Sequence, residues 1–241
     1  MAIQKFDDLN AMQEIPRIWY DKMRIPPKQK RKREALAVDY CEIIIMLFLM
    51  ITEQEYERAE LVAFLSERLR LLAEREIGVE DIAYINDWAD TKAEEIVDTT
   101  YEKYENEIED QEIEEEEAEA EEQKEPEEDK VITFSEYDIS VPEKDYWTSD
   151  IRAMNISLNL ASFVFNFKEY DDAIKDGKTK KVWITENDDK VRETHAAIDG
   201  VELPINEYFA VGNSAMLFPG DTSAGAEEKE LDNCRCHLVC Y

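Results

Sequence analysis

A run of glutamates divides the chain into two parts. Between residues 105 and 130 most positions are acidic, and almost no apolar residue follows Ile113. Like charges repel and such a segment has no face to bury, so it is either a solvated linker or an extension of the preceding helix. We therefore predict three regions: a helical N-terminal module over 1–104, an acidic low-complexity linker over 105–130 and a C-terminal domain over 131–241.

The acidic character extends to the whole chain. Its 241 residues carry a formal net charge of −31 at pH 7. Because this charge repels phosphate backbones, direct sequence-specific binding to nucleic acid is not expected. The field instead favours basic partners. For the glutamate run, an acidic mimic or a cation sink is the functional alternative to a simple linker.

The N-terminal part has the periodicity of a helical bundle. Helices are expected over 34–51, over 53–77 and from residue 79 or 80 to Tyr104. Thr52 should begin the second helix through a capping box with Glu55, and Gly78 should end it. Three helices joined by short turns make a small bundle. Before them, residues 1–34 are expected to form a mixed arm that prolines cut into short pieces.

Two stretches of this part have more than one interpretation. The basic residues 28–33 are either the solvated first turns of a helix or a site for an acidic partner or nucleic acid. Residues 43–51 are apolar on all sides, but a membrane span needs about 20 such residues. We expect a buried helix there and no membrane association, with a membrane- or partner-facing surface as the alternative.

The C-terminal part mixes helix and strand periodicities. Weak alternation over 131–141 predicts a strand or a docked extended segment. An apolar stripe predicts a long helix from Asp150 to about Lys175, capped by Thr148 or Ser149. A short helix is expected over 188–197, and short strands over 182–185, 201–205, 208–211, 215–218 and 237–240. The fold class is therefore α+β, with a small, mostly antiparallel sheet.

Five short motifs follow one another from Trp183 onward. Two of the motifs, Asp199-Gly200 and Pro219-Gly220-Asp221, contain a glycine, which tolerates the positive φ that tight turns need. His195 and Asp199 are four residues apart on the predicted short helix, so they can meet. We expect the motifs to form one compact knot that the last few residues close. They read Trp183-Ile184-Thr185, Asp188-Asp189-Lys190-Val191-Arg192 with His195, Asp199-Gly200, Pro219-Gly220-Asp221 and Asn233-Cys234-Arg235-Cys236.

In this order and spacing, the five motifs resemble the C-terminal domain of phage head morphogenesis proteins, the phage Mu F-like minor head family. The resemblance covers roughly residues 150–241. It implies a structural or assembly protein with no established enzymatic activity, in a virion or procapsid that is assembled in the cytoplasm of a host bacterium. The partners it implies are the portal, capsid or scaffolding proteins. Its motif residues are Trp183, Asp188, Arg192, His195, Asp199, Gly200, Pro219, Gly220, Asp221, Asn233 and Arg235.

Three of the four cysteines lie within the last eight residues, at Cys234, Cys236 and Cys240. The N-terminus lacks the basic start and apolar run of a secretory signal peptide, so a disulfide scaffold is not expected. Reduced thiols or a bound metal remain. If the segment is a strand, Cys234 and Cys236 point to one face and His237 points away.

His195, Cys234 and Cys236 are the candidate metal ligands. Thiolate and imidazole groups suit zinc, and Asp199 or Asp221 could be a fourth ligand or an outer partner. The alternative is a polar network in which His195 and Asp199 fix a turn and the cysteines are small buried side chains. Zinc is the only cofactor that the sequence suggests.

Other functions also fit some of these features. A zinc-bound water with Asp199 or Glu193 as base could hydrolyse a substrate, as in a metal-dependent hydrolase or toxin-like effector. The chain could instead be an acidic interaction module that blocks a basic surface of a host protein. Arg192 is expected to pair with Asp188 or Asp221 rather than with a substrate.

Overall fold

The structure is a computed structural model, and it describes residues 9–120, 131–134, 139–142 and 146–241. Its helices are α1 (Leu9–Asp21), α2 (Pro27–Glu53), α3 (Arg58–Ile77), α4 (Ala83–Ala120), α5 (Asp150–Lys175), α6 (Glu193–Ala196) and α7 (Glu228–Leu231). Its strands are β1 (Val131–Phe134), β2 (Ile139–Pro142), β3 (Lys180–Ile184), β4 (Glu202–Pro204), β5 (Phe209–Val211), β6 (Ser214–Met216) and β7 (His237–Cys240).

The predicted α+β class is confirmed. Helices α1 to α4 come first, and the long helix α5 and small antiparallel sheets follow. Strands β1 and β2 form a hairpin, β5 and β6 form another pair, and β4, β3 and β7 form a three-stranded sheet with β3 in the middle.

Helix α5 is central because elements from both parts of the chain pack on it. Helices α2 and α3 and strand β7 all contact it. Every residue from Leu160 to Phe167 is buried, so more than one face is covered. Trp88 of α4 stacks on Phe163 of α5, with ring centroids 4.3 Å apart. The N-terminal helices and the C-terminal α+β region therefore share one hydrophobic core.

The apolar run over 43–51 lies in α2 as a buried helix segment. Ile44, Leu47, Phe48 and Ile51 are at most 1% exposed, whereas Met46 is 49% exposed. By length and composition alone α2 could cross a membrane. In the structure its buried side packs chiefly against α5, with further contacts to α1 and α3.

The first helices begin and end at other residues than the sequence predicted. The expectation that Pro16 divides the N-terminal arm into short pieces is wrong, because residues 9–21 form the single helix α1 with Pro16 inside it. Helix α2 begins at Pro27 because proline suits the first helical turn, so the basic residues 28–33 lie in its first turns. The mostly exposed basic side chains there agree with the solvated interpretation, although Arg33 is buried.

The predicted capping box of Thr52 and Glu55 is also wrong. Thr52 lies inside α2, and its hydroxyl donates to the carbonyl of Leu49 at 2.9 Å. Helix α3 begins at Arg58, with a capping box formed by Glu57 and Glu60. Glutamate is not a usual N-cap residue, whereas Thr52 with Glu55 fits the usual capping-box pattern, so the pattern selected the wrong pair.

Helix α3 ends at Gly78, as expected, with a φ of 82°. The next helix, α4, starts at Ala83 and continues past Tyr104 to Ala120. Residues 105–120 of the glutamate run therefore extend the preceding helix, which is one of the two alternatives that the sequence allowed. Glutamate and alanine both favour helix. The rest of the predicted linker, residues 121–130, lies outside the described residues.

Helix α5 has the predicted boundaries, and Ser149 caps it by accepting a hydrogen bond from the amide of Arg152 at 3.3 Å. Strand β3 follows and pairs with β7, so that Trp183 lies opposite Leu238 and Ile184 lies opposite His237. This register brings the residues after β3 next to the residues just before β7.

The predicted short helix over 188–197 is wrong at its start. Only Glu193–Ala196 is helical. Asn187 has a positive φ of 54°, and its amide donates to the Thr185 hydroxyl at 3.3 Å, so the chain turns there instead of starting a helix. Asp188 then accepts a hydrogen bond from the amide of Lys190 at 3.2 Å, which continues the turn.

Candidate metal centre

The structure brings His195, Cys234 and Cys236 together. Nδ1 of His195 lies 3.3 Å from Sγ of Cys236 and 3.6 Å from Sγ of Cys234. One ligand atom from each residue lies within 4.8 Å of the other two, and all three residues are buried. This group could hold a metal ion such as zinc.

The two nitrogen–sulfur distances would suit a tetrahedral zinc site. With zinc about 2.05 Å from an imidazole nitrogen and about 2.3 Å from a thiolate, the two ligand atoms lie about 3.6 Å apart. The observed 3.3 and 3.6 Å are close to this value. The cysteines reach these positions from the irregular segment before β7, and not from the strand that the sequence suggested.

Glu230 holds the other side of the imidazole. Its Oε2 lies 3.2 Å from Nε2 of His195 and accepts a hydrogen bond from the Thr194 hydroxyl at 2.8 Å. A proton on Nε2 that is donated to Glu230 leaves the lone pair of Nδ1 facing the two sulfur atoms. Histidines that bind metals are commonly held by a carboxylate in this way.

The hydrogen bond between the two thiols separates their acidities. The hydrogen bond from Cys236, with a contribution from His195, lowers the pKa of Cys234 well below its ordinary value. The same bond raises the pKa of Cys236, because removal of its proton would leave two buried thiolates side by side. The pair thus readily supplies one thiolate, and a divalent ion would favour the second.

The expected roles of Asp199 and Asp221 beside these ligands are wrong. Asp199 accepts a hydrogen bond from the amide of Thr185 at 2.6 Å and lies 3.6 Å from the guanidinium of Arg24. Asp221 is fully buried, and its oxygens bind Tyr84, the amide of Leu217 and Ser223. Each carboxylate thus binds backbone amides of nearby turns, and neither belongs to the group of three candidate ligands.

Asp188 and Arg235 connect the turn after β3 to the cysteine segment. Two nitrogens of Arg235 donate to the two oxygens of Asp188 at 2.7 and 2.8 Å. The predicted pairing of Arg192 with Asp188 or Asp221 is wrong, since Arg192 donates to the carbonyl of Asp232. Asn233 has a positive φ of 51°, which turns the chain toward Cys234.

The remaining motifs join the same cluster. The ring of Trp183 meets that of His195 edge to face, with centroids 5.5 Å apart. The amide of Gly200 donates to the carbonyl of Trp183 at 2.8 Å. Four of the five motifs therefore contact one another directly. The fifth, at the Pro219-Gly220 turn where Gly220 has a φ of 94°, is joined to them through Asn166.

Asn166 of α5 links the Pro-Gly turn to the cysteine segment. Its Nδ2 donates to the carbonyls of Pro219 and Cys236 at 3.1 and 3.2 Å, and its Oδ1 accepts from the amide of Leu238 at 3.3 Å. The sequence analysis missed this residue. A polar side chain between Phe165 and Phe167 in the apolar stripe of α5 was the signal that could have identified it.

Comparison with known proteins identifies no relative. The chain matches no family model, no curated protein and no solved structure. The class of site, a buried histidine and two cysteines that could hold a metal ion, therefore comes from the geometry alone.

Proposed function

We propose that this protein is a structural and assembly protein of a phage head, of the minor head type. It acts in the virion or procapsid and docks on the portal, capsid or scaffolding protein. The observation that supports the proposal is the meeting of the five motifs. Four of them contact one another directly across 14 to 47 positions of sequence, and Asn166 links the fifth, at Pro219, to Cys236. The resemblance to minor head proteins rests on these motifs, and their mutual contacts give them one common structural role.

The proposed role of the metal site is structural, with zinc as the metal. All three candidate ligands are buried. The cavity beside them, of about 10 Å³, has room for roughly one water molecule. Structural zinc sites are closed in this way, whereas catalytic sites keep a position open to substrate. Zinc would join the last residues of the chain to α6 and so hold the C-terminal part together.

A metal-dependent hydrolase is the second candidate, because a histidine and two cysteines also occur as ligands of catalytic zinc. The small cavity does not favour it, since a substrate could not reach the metal without movement of the surrounding chain. An acidic interaction module remains the third candidate. The glutamate run that begins in α4 would then supply its negative charge.

The assembly role is tested by co-expressing the full chain with the portal, capsid and scaffolding proteins encoded by the same phage. We expect the chain to migrate with the portal ring or the procapsid in a sedimentation gradient. The variant Arg235→Ala, which loses its pairing with Asp188, should migrate with them less. Its matched control is Arg58→Ala, which breaks an exposed ion pair far from the knot. A chain that stays free of all three partners overturns the proposal.

A further inference from the structure

We infer that the carboxylate of Glu186 is the fourth ligand of a metal ion bound by His195, Cys234 and Cys236. The inference rests on the metal assignment within the proposed function and adds the residue that closes the site. A tetrahedral zinc site with three protein ligands has one position left, which a further side chain fills in structural sites.

Glu186 has a buried oxygen atom that nothing else uses. Its side chain is 1% exposed, and Oε2 has no hydrogen-bond partner among the described residues. Leaving such an oxygen unpaired costs roughly 1–3 kcal/mol or more, so it is usually satisfied by water or an ion. The other oxygen, Oε1, accepts a hydrogen bond from the amide of Arg24 at 3.2 Å and lies 3.7 Å from Nδ1 of His237.

The carboxylate also faces the right cavity. Glu186 lines the same small cavity as His195, Cys234 and Cys236, and it interacts electrostatically with Cys236. It is not one of the three residues whose ligand atoms lie within 4.8 Å of one another. A rotation of its side chain is therefore needed for coordination, and Oε2 gives up no hydrogen bond when it moves.

The charge of the cavity lining permits a fourth anionic ligand. Two thiolates and one carboxylate around a divalent ion leave a single negative charge. Lys190 and Arg192 line the same cavity and lower the cost of that charge, whereas Arg235 is paired with Asp188. The other nearby carboxylate, Glu230, is already held by His195 and Thr194, so its place is beside the imidazole and not on the metal.

Coordination by Glu186 would connect the metal to the N-terminal helices. The amide of Arg24, in the connection between α1 and α2, holds Oε1, while its guanidinium donates to the carbonyl of Thr185 at 3.0 Å. With Oε2 on the metal, the carboxylate of Glu186 would bind both the metal ion and the amide of Arg24. Metal loading should therefore slow hydrogen exchange of the Arg24 amide.

Cobalt(II) in place of zinc tests this in the full chain. Wild type should show the visible spectrum of a four-coordinate ion with thiolate ligands, and added azide should leave it unchanged. Glu186→Gln should weaken cobalt binding by at least about tenfold, since even outer partners of metal ligands contribute that much. It should also let azide shift the spectrum and remove the metal-dependent protection of Arg24.

A second variant keeps the test decisive if the first one folds poorly. Glu186→Cys should bind cobalt and strengthen its sulfur-to-metal charge-transfer band, because a third thiolate joins the first two. The matched control is Glu207→Gln, an exposed acidic residue that does not line the cavity, which should behave as wild type.

Three results would overturn the inference. In the first, azide shifts the spectrum of wild type. In the second, both Glu186 variants match wild type in cobalt affinity and spectrum. Either result means that Glu186 is not a ligand, although the chain still binds a metal through the other three residues. In the third, wild type binds no metal, and the metal assignment then fails together with the inference about Glu186. The head-assembly role is separate, since it is decided by co-sedimentation.

Discussion

Asp188 and Arg235, 47 positions apart in the chain, form a two-pronged ion pair beside the candidate metal ligands. The side chain of Arg235 is 6% exposed and that of Asp188 is 29% exposed. The guanidinium also lies over the ring of Trp19 in α1, 6.0 Å from its centroid. One arginine between two cysteines thus connects the turn after β3 and the first helix.

Replacing this arginine should destabilise the chain. Arg235→Ala leaves Asp188 without its partner and should lower the free energy of unfolding by about 2–3 kcal/mol, less than for a fully buried pair. Denaturant unfolding measures this loss. Arg58→Ala is the control, because both side chains of the Arg58–Asp98 pair are 52% exposed and its loss should matter far less.

The same pair predicts a pH dependence. The hydrogen bonds from Arg235 lower the pKa of Asp188. Since the folded pKa lies below the unfolded one, the stabilisation is present above the unfolded pKa of about 3.9 and is lost as the pH falls through the folded value. The stability difference between wild type and Arg235→Ala should therefore shrink below about pH 4. A constant difference down to pH 2 would contradict the pairing.

Asn166 should be among the least replaceable residues of α5. Its side chain binds the carbonyls of Pro219 and Cys236, the amide of Leu238 and, at 3.3 Å, the guanidinium of Arg33. Asn166→Ala leaves these buried groups unpaired and should cost about 2–4 kcal/mol in thermal or denaturant unfolding.

The control on the same helix is Asn159→Ala. Oδ1 of Asn159 is buried and has no hydrogen-bond partner among the described residues, so its removal should cost much less. Equal losses in the two variants would show that Asn166 does not have the linking role described for it.

Gly212 tests the position of Glu230. A Cβ atom at Gly212 would lie 2.8 Å from Oε1 of Glu230 and 3.1 Å from Cγ2 of Thr194. Gly212→Ala should therefore displace the carboxylate that holds His195, and it should weaken zinc binding by roughly 10- to 100-fold, as losses of such outer partners do. Competition with a zinc chelator of known affinity measures the change.

Gly225→Ala separates this effect from backbone strain. Both glycines have a positive φ, 59° at Gly212 and 71° at Gly225, so an alanine is strained at either position. Nothing lies within 4 Å of a Cβ at Gly225. The Gly225→Ala variant should lose stability but keep its zinc affinity. Weakened zinc binding in this variant would contradict the role of Glu230.

Lys181 should make stability rise in mild alkali. The residue is fully buried, and its Nζ donates to the carbonyl of Leu217 at 2.7 Å. Burial lowers its pKa from 10.5 to about 8. Between pH 8 and about 10.4 the unfolded chain binds more protons at this lysine, so stability increases with pH, by at most about 1.4 kcal/mol per pH unit.

The variant Lys181→Met isolates this contribution. Burial raises the pKa of the Cys240 thiol to about 12, so this thiol makes stability fall with pH above about pH 9. It does so both in wild type and in the variant. Denaturant unfolding at pH 7.5 and 9 should therefore show a more positive slope for wild type than for the variant. Identical slopes would mean that Lys181 keeps its ordinary pKa.

Local signals in the sequence were enough for part of this fold. The boundaries of α5 follow from the cap at Ser149 and a long apolar stripe, and both signals act within a few residues. The grouping of His195 with Cys234 and Cys236 followed from ligand chemistry. The start of α3 was missed because its cap is Glu57, whereas the usual capping-box pattern pointed to Thr52.

The outer parts of the site could not be predicted in this way. Glu230 is one of 59 acidic residues and lies 35 positions from the imidazole that it holds, so nothing local distinguishes it. The predicted contact of His195 with Asp199 assumed a helix that continues to residue 199. The helix ends at Ala196 instead, and the carboxylate of Asp199 accepts a hydrogen bond from the amide of Thr185.

The metal content of the full chain tests most directly whether its last residues close a metal site with His195. The protein would be purified without chelators or metal-affinity resins, and zinc would be measured by mass spectrometry together with Cys234→Ser and Cys236→Ser. We expect one zinc per chain in wild type and loss of zinc in both variants. A wild-type chain that is folded and stable without any metal, or variants that retain the same zinc, would contradict the metal centre.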